Sequence, residues 1–132
     1  MTKDDDGGEP WTSLEGRFDV VNLGMILHMW TYEEQIDVMK RAIQCGKAEP
    51  GTTILGIAVA VVDGAVEDWI GKKVPAHNVE TFKPFMKDVE KRTGTKWKVD
   101  AELDYAISAW AGSWTWVGER CRRLLFELTR LE

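Results

Sequence analysis

The sequence predicts a single α/β domain with about four strands and two main helices. Two apolar segments rich in β-branched residues flank a segment with helical periodicity, an order typical of a right-handed parallel crossover. The chain has 132 residues, of which 44% are hydrophobic and 30% charged, so it is long and apolar enough to bury its own core. We expect this domain to span residues 14–132 and to follow a disordered acidic tail over residues 1–13.

The first predicted strand leads directly into the first predicted helix. Phe18–Leu27 is almost wholly apolar, which is typical of a strand buried on both faces of a parallel sheet. Thr31 and Glu34 then form a capping-box pattern, after which apolar residues recur at helical spacing. The helix should end at Gly46.

A second strand, a long loop and a second helix are predicted next. Residues 52–62 are apolar and rich in β-branched side chains, which predicts another buried strand. Asp63–Asn78 contains glycine and proline and has no clean period, so we expect a loop at the carboxyl end of that strand, where α/β sheets usually bind ligands. A helix should follow over Val79–Arg92 and close at Gly94.

Two closing strands complete the predicted fold. Trp97–Leu103 and Leu124–Leu131 both alternate apolar with polar residues, which is the pattern of a half-buried strand. Tyr105–Glu119 lies between them and is predicted to be a loop.

Composition excludes several classes of partner. The net charge of -5 and the pI near 5.1 argue against nucleic-acid binding, because there is no general excess of positive charge to neutralise phosphates. No apolar run approaches the ~20 residues needed to span a bilayer, and the acidic start does not resemble a basic leader, so we expect a cytoplasmic protein. Cys45 and Cys121 have neither redox nor metal-ligand spacing, which predicts buried free thiols and no metal site.

Two histidines are the candidate catalytic residues. His28 falls at the carboxyl end of the first predicted strand, and His77 precedes the second predicted helix after the long loop. Both could face one crevice and act as general acid or base near neutral pH. The alternatives are that His28 is a hydrogen-bonded loop residue and that His77 is an exposed helix cap.

Seven tryptophans are an unusual number for a chain of this length. Those on predicted loops suggest a pocket for an apolar small molecule; packing in the core and at a dimer interface is the alternative. The candidate substrate-binding residues are Met29, Trp30, Trp69, Tyr105, Trp110, Trp114 and Trp116.

Four segments carry a resemblance to a known family, namely FDVVNLGMILHMWTYEEQ, AEPGTTILG, HNVETFKPFMKDVEKRTGTKWKVDAELD and RRLLFELTRL. They look like the fourth and fifth strands, the final helix and the last two strands of class I SAM-dependent methyltransferases of the fungal secondary-metabolism type. The resemblance implies a truncated Rossmann-like methyltransferase fold. Members of the family bind SAM mainly through a glycine-rich turn after their first strand and an acidic residue that ends their second. This chain has neither segment and no G-x-G, so the resemblance implies that it holds no cofactor alone.

Two classes of function follow from these expectations. The first is a cofactor-independent cyclase or isomerase, for example a pericyclase of the Diels–Alderase type, that holds an apolar polyketide or terpenoid in a reactive conformation. The alternative is a methyltransferase fragment that regains SAM through a partner chain, or a noncatalytic partner of a methyltransferase. In either case the first strand should lie at an edge of the sheet with one face uncovered, which predicts a homodimer.

Overall fold

The computed structural model describes residues 13–24, 27–64, 66–69, 71–104 and 121–132. Within them the chain forms two α-helices, a turn of 3-10 helix and six strands. In chain order these are β1 (Val20–Gly24), the 3-10 turn (Leu27–Met29), α1 (Tyr32–Cys45), β2 (Thr53–Val61), β3 (Val66–Trp69), β4 (Lys72–Pro75), α2 (Val79–Thr93), β5 (Trp97–Asp104) and β6 (Cys121–Arg130).

The four principal strands form one sheet in the order β1-β2-β6-β5. β1 and β2 are parallel and are connected through α1, whereas β6 runs antiparallel to both β2 and β5. This arrangement confirms the predicted α/β class and the parallel crossover. It also confirms that β1 is the edge strand, since β2 is its only neighbour among the described strands.

Both helices pack on the same face of this sheet. Their apolar positions recur every three or four residues, so each helix buries one stripe. The stripes meet the inward-facing residues of the sheet in one core. The largest fully buried side chains of this core include Phe82, Phe85, Leu27, Ile36, Met39, Ile54, Met86, Leu124 and Leu128.

A glycine in the central strand β2 lets an aromatic ring lie close to the sheet. A Cβ at Gly56 would come 2.6 Å from the Phe126 ring and 2.5 Å from the Leu23 carbonyl oxygen. Both distances are far below van der Waals contact, so the packing of Phe126 requires that position 56 carry no side chain.

The first strand differs from the prediction in its length and in its burial. It ends at Gly24, whereas Leu27 and His28 belong to the 3-10 turn. Its residues are not buried on both faces, because Val20 and Asn22 are exposed while Leu23 is buried. The described helices cover only one face of the sheet, and this explains the alternation.

The segment predicted as one long loop contains a hairpin. β3 and β4 pair antiparallel, with Trp69 opposite Lys72 and two residues in the turn between them. Gly71 in this turn has a φ of 76°, a left-handed conformation that glycine adopts without strain. The prediction of a wholly irregular loop was therefore wrong. Cys45, expected to be buried, is only half-buried at the end of α1.

The N-terminus of α2 is fixed by a side-chain cap that also ties the helix to β2. The Asn78 carboxamide oxygen accepts a hydrogen bond from the Thr81 backbone N–H at 2.8 Å, and its NH2 group donates to the Val62 carbonyl at 3.1 Å. We expect Asn78→Ala to lower the free energy of unfolding by about 2 kcal/mol, because it removes the cap and leaves a carbonyl without its donor. Asn78→Asp keeps the acceptor and should fall between the wild type and Asn78→Ala in urea denaturation. An alanine variant within about 0.5 kcal/mol of the wild type would show that the cap contributes little.

Candidate functional site

The carboxyl ends of β1 and β2 are the natural place for a site in this fold. Beyond the end of β1, the 3-10 turn carries His28 against the neighbouring strand β2. The Val59 backbone N–H donates to His28 Nδ1 at 3.3 Å, and the imidazole is almost fully buried.

His28 is held as a neutral imidazole by this environment. Because Nδ1 accepts a hydrogen bond, the proton of the neutral ring is on Nε2. Burial lowers the pKa of His28 to about 4, since the charged form would lose its hydration. The position at the carboxyl end agrees with the sequence prediction, and the catalytic role of His28 stays a prediction.

His77 lies in the same region and is also buried, which rules out the alternative of an exposed helix cap. Its Nε2 lies 2.9 Å from the Gln35 carboxamide oxygen, and its Nδ1 lies 3.0 Å from the Thr81 hydroxyl. An amide oxygen can only accept, so Nε2 carries the proton and Nδ1 accepts from Thr81. The ring also packs 5.0 Å from Phe85, centroid to centroid, and burial lowers the pKa of His77 to about 4.

Gln35 joins these segments and was missed by the sequence analysis. Its NH2 group lies within 2.9–3.2 Å of the carbonyl oxygens of Leu27, Trp30 and Pro75. Its oxygen accepts from His77. One fully buried side chain thus connects the turn after β1, the end of β4 and the start of α2. The available signal was a polar residue on the apolar stripe of α1, beside Ile36.

Two of the predicted substrate-binding residues are described at this edge. Met29 is 43% exposed and Trp30 is half-buried. The Trp30 indole nitrogen is buried and has no hydrogen-bond partner among the described residues, and the Lys72 ammonium lies 5.5 Å from the centre of its ring. A buried indole N–H without an acceptor is costly, and it could donate to an acceptor on a bound molecule.

The side chains of the remaining predicted substrate-binding residues are not among those that the structure describes. For Trp69 only the backbone, in β3, is described. The other four lie outside the described residues; they are Tyr105, Trp110, Trp114 and Trp116. The structure therefore brings together His28, Met29, Trp30 and His77, while the predicted aromatic pocket stays a prediction.

The N-termini of both helices are closed by their own side chains. The Glu34 N–H donates to Thr31 Oγ1 at 3.2 Å, and the Thr81 N–H donates to the Asn78 carboxamide oxygen at 2.8 Å, so one first-turn amide of each helix already has a partner. These two amides are not free to bind an anionic group. Across the described ranges no cluster of histidine, cysteine or carboxylate side chains has the geometry to hold a metal ion. None of the helices in those ranges is long and apolar enough to cross a membrane.

Curated relatives of this chain are fungal methyltransferases. The O-methyltransferase atr3 of Stereocaulon alpinum is 32% identical over 126 residues, which cover 89% of this chain and 34% of that protein. The methyltransferase adrK of Penicillium rubens is 30% identical over 107 residues, covering 79% of this chain and 39% of that protein. The chain spans about a third of the length of these relatives. No protein-family model matches it.

Solved structures show the same fold. A 16S rRNA adenine methyltransferase of Catenulisporales acidiphilia, determined with SAM, superposes with a TM-score of 0.55 at 15% identity, over 92% of this chain and 57% of that one. A phosphoethanolamine N-methyltransferase of Haemonchus contortus superposes with a TM-score of 0.53 at 12% identity, over 89% of this chain and 34% of that one. The chain is a partial methyltransferase-like region with a Rossmann-like fold, as the resemblance implied.

Proposed function

We propose that this methyltransferase-like region forms the acceptor-facing part of a SAM-dependent O-methyltransferase whose donor-binding residues lie outside these 132 residues. The observation that supports this most directly is the match of 126 residues to about a third of a fungal O-methyltransferase. These relatives favour a methyltransferase fragment over the cofactor-independent cyclase, for which the described residues offer no specific support.

The residues present do not fit a complete SAM site. The chain contains no G-x-G turn that would let backbone amides approach SAM closely. We therefore assign donor binding to a segment that this region docks against. That segment belongs either to the same polypeptide or to a partner chain.

In this proposal the region forms the wall that faces the methyl-accepting substrate, at the edge of the sheet where β1 and β2 have their carboxyl ends. Trp30 offers an indole N–H that has no partner in the part of the chain that the structure describes, and its neighbour Met29 is exposed. An apolar surface with one hydrogen-bond donor suits an aromatic or terpenoid substrate that carries a carbonyl or hydroxyl oxygen. His28 and His77 hold this wall in place as neutral, buried connectors.

A chimera tests the assignment. This chain would replace the matching third of the Stereocaulon alpinum O-methyltransferase, and SAM binding would be measured by calorimetry and thermal shift. We expect the isolated chain to give no binding heat. The chimera should bind SAM and gain about 2.7 kcal/mol of stability at a SAM concentration 100 times the Kd.

The matched control is the Stereocaulon enzyme without its matching third, which should not reproduce the SAM affinity of the chimera. Measurable SAM binding by the isolated chain would contradict the assignment of donor binding to another segment. A folded chimera that fails to bind SAM would contradict the proposed function itself.

A further inference from the structure

β5 is the second edge strand of the four-stranded sheet, at the end opposite β1. The Leu131 N–H donates to the Lys96 carbonyl oxygen at 2.8 Å, so alternate residues from Lys96 onward direct their backbone groups toward β6. The backbone groups of Trp97, Val99 and Ala101 therefore point away from the sheet. No described strand pairs with them, and an unpaired edge of this kind is a template for another strand.

An open cleft of about 230 Å³ lies between α2 and the β5 edge. Its apolar lining comes from Met86, Trp97 and Val99. The Glu90 carboxylate accepts a hydrogen bond from the outward Trp97 N–H at 2.7 Å, so this amide is already closed within the chain. In the described part of the chain, the outward amides of Val99 and Ala101 are not closed in this way, and they remain available to a partner strand.

Four exposed charges form a symmetric pattern along this edge. Lys96 and Lys98 precede Val99, and Asp100 and Glu102 follow it at the mirrored spacing. The odd-numbered residues of β5 pack toward the core, so the four charged side chains share the opposite face of the strand. Two cations followed by two anions on one face can complement a second, antiparallel copy of the same strand.

Only one register makes this complementarity complete. With Val99 opposite the partner's Val99, Lys98 lies opposite the partner's Asp100 and Lys96 lies opposite the partner's Glu102. Each pair occurs twice by symmetry, so four opposite-charge pairs form without a like-charge pair. Outward backbone groups can pair only in registers that differ by two residues. A slip of two residues in either direction sets Asp100 against the partner's Asp100, or Lys98 against the partner's Lys98.

We propose that the β5 edge is the contact surface for a second copy of this chain, in an antiparallel dimer whose two-fold axis passes beside Val99. The dimer joins two four-stranded sheets into one, and the partner's Val99 and Ala101 lie beside Trp97 at the cleft. Each copy donates two backbone hydrogen bonds, from Val99 to the partner's Val99 and from Ala101 to the partner's Trp97.

This contact goes beyond the proposed function and does not depend on it. β1 lies at the other end of the sheet, so the dimer leaves β1 and its carboxyl end uncovered. The homodimer that the sequence predicts would then form at β5 and not at β1. The interface is small and its charges are exposed, so we expect a weak dimer, and the exposed Lys98–Asp100 ion pair within each chain competes only slightly.

Sedimentation of the full chain between micromolar and millimolar concentration measures the dimer, and charge reversal tests the pairing. The double variant Asp100→Lys, Glu102→Lys replaces the four opposite-charge pairs by four like-charge pairs and should weaken the dimer about a hundredfold. The matched control Asp37→Lys, Glu80→Lys changes the net charge equally at exposed helix positions and should change the Kd by about threefold or less.

Two further variants separate this register from a general effect of charge. Lys96→Glu, Lys98→Glu should also remain monomeric alone, but it should pair with Asp100→Lys, Glu102→Lys when the two are mixed. The fourfold variant that combines all these substitutions keeps the net charge of the wild type. It should form dimers as the wild type does, yet it should not pair with the wild type, because every charge would then meet a like charge.

Hydrogen exchange locates the contact. The amides of Val99 and Ala101 should exchange more slowly as the concentration rises, whereas those of Val20 and Asn22, at the β1 edge, should not change. A wild type that is monomeric at millimolar concentration would overturn the proposal. A fourfold variant that pairs equally well with the wild type would overturn the register, and a dimer that protects Val20 and Asn22 instead would place the contact at β1.

Discussion

Lowering the pH from 7 to 5 is expected to reduce the free energy of unfolding by roughly 4 kcal/mol, through the two histidines alone. Domains of this size are stable by only about 5–15 kcal/mol, so a loss of this size would bring the protein close to unfolding. The chain contains no other histidine.

The sign of the effect follows from burial. His28 and His77 each have a folded-state pKa of about 4, below the ordinary value of 6.5. Between these values the unfolded chain binds protons that the folded chain excludes, so unfolding takes up protons and stability falls as the pH decreases. At pH 5.5 the uptake should be about 1.8 protons. The hydrogen bonds of both rings predict the same sign. In each ring Nδ1 accepts a hydrogen bond, and protonation of Nδ1 would break it.

Urea denaturation at pH 7, 6 and 5 measures the effect, and calorimetry in buffers of different ionisation enthalpy counts the protons. The carboxyl pKa values of Glu33 and Glu34 are lowered by hydrogen bonds from Arg92 and the Thr31 backbone N–H. Their contributions are lost only below the ordinary value near 4.5, so the window above pH 5 isolates the histidines.

The matched control is the double variant His28→Asn, His77→Gln, which should be less stable at pH 7 but nearly independent of pH down to 5. If the wild type keeps the same stability at pH 7 and pH 5, the histidines are not neutral and buried in the folded state.

Much of the fold could be predicted because local patterns and tertiary packing agree. Thr31 and Glu34 predict the start of α1, and the structure shows both hydrogen bonds of their capping box. The start of α2 follows the same geometry with Asn78 and Thr81, a pair less distinctive in sequence because threonine replaces the usual acidic residue. The β3–β4 hairpin escaped prediction, since its four-residue strands are too short for a visible alternation.

The site was only partly predictable, since its geometry depends on contacts across long distances in sequence. The location of His28 followed from the end of a strand, and the structure puts His77 in the same region. What joins them is Gln35, whose partner His77 is 42 residues away. No local pattern reports such a contact. Neighbours across the sheet are also invisible in sequence, because residues such as Leu55, Glu127 and Asp100 come together only through the strand order β2-β6-β5.

Replacing Gln35 by leucine should cost about 3 kcal/mol of stability, although leucine is apolar and similar in size. The substitution removes the acceptor of His77 Nε2–H and the donor to the Pro75 carbonyl, both of them buried. Each buried polar group left without a partner costs about 1–3 kcal/mol, while the gain from an added apolar side chain is smaller. The matched control is Gln44→Leu on the same helix, where the side chain is half-buried and the cost should stay below about 1 kcal/mol.

A double-mutant cycle separates loss of the network from loss of packing. If the Gln35–His77 hydrogen bond carries the effect, Gln35→Leu should reduce the free energy of unfolding less in a His77→Phe background than in the wild type. In that background there is no imidazole N–H for the substitution to leave without an acceptor. The coupling should reach about 1 kcal/mol or more in urea denaturation. Strict additivity would mean that the two side chains stabilise the protein independently. The cluster would then be two separate packing sites, and Gln35 could not fix the turn that carries His28 and Trp30 relative to the start of α2.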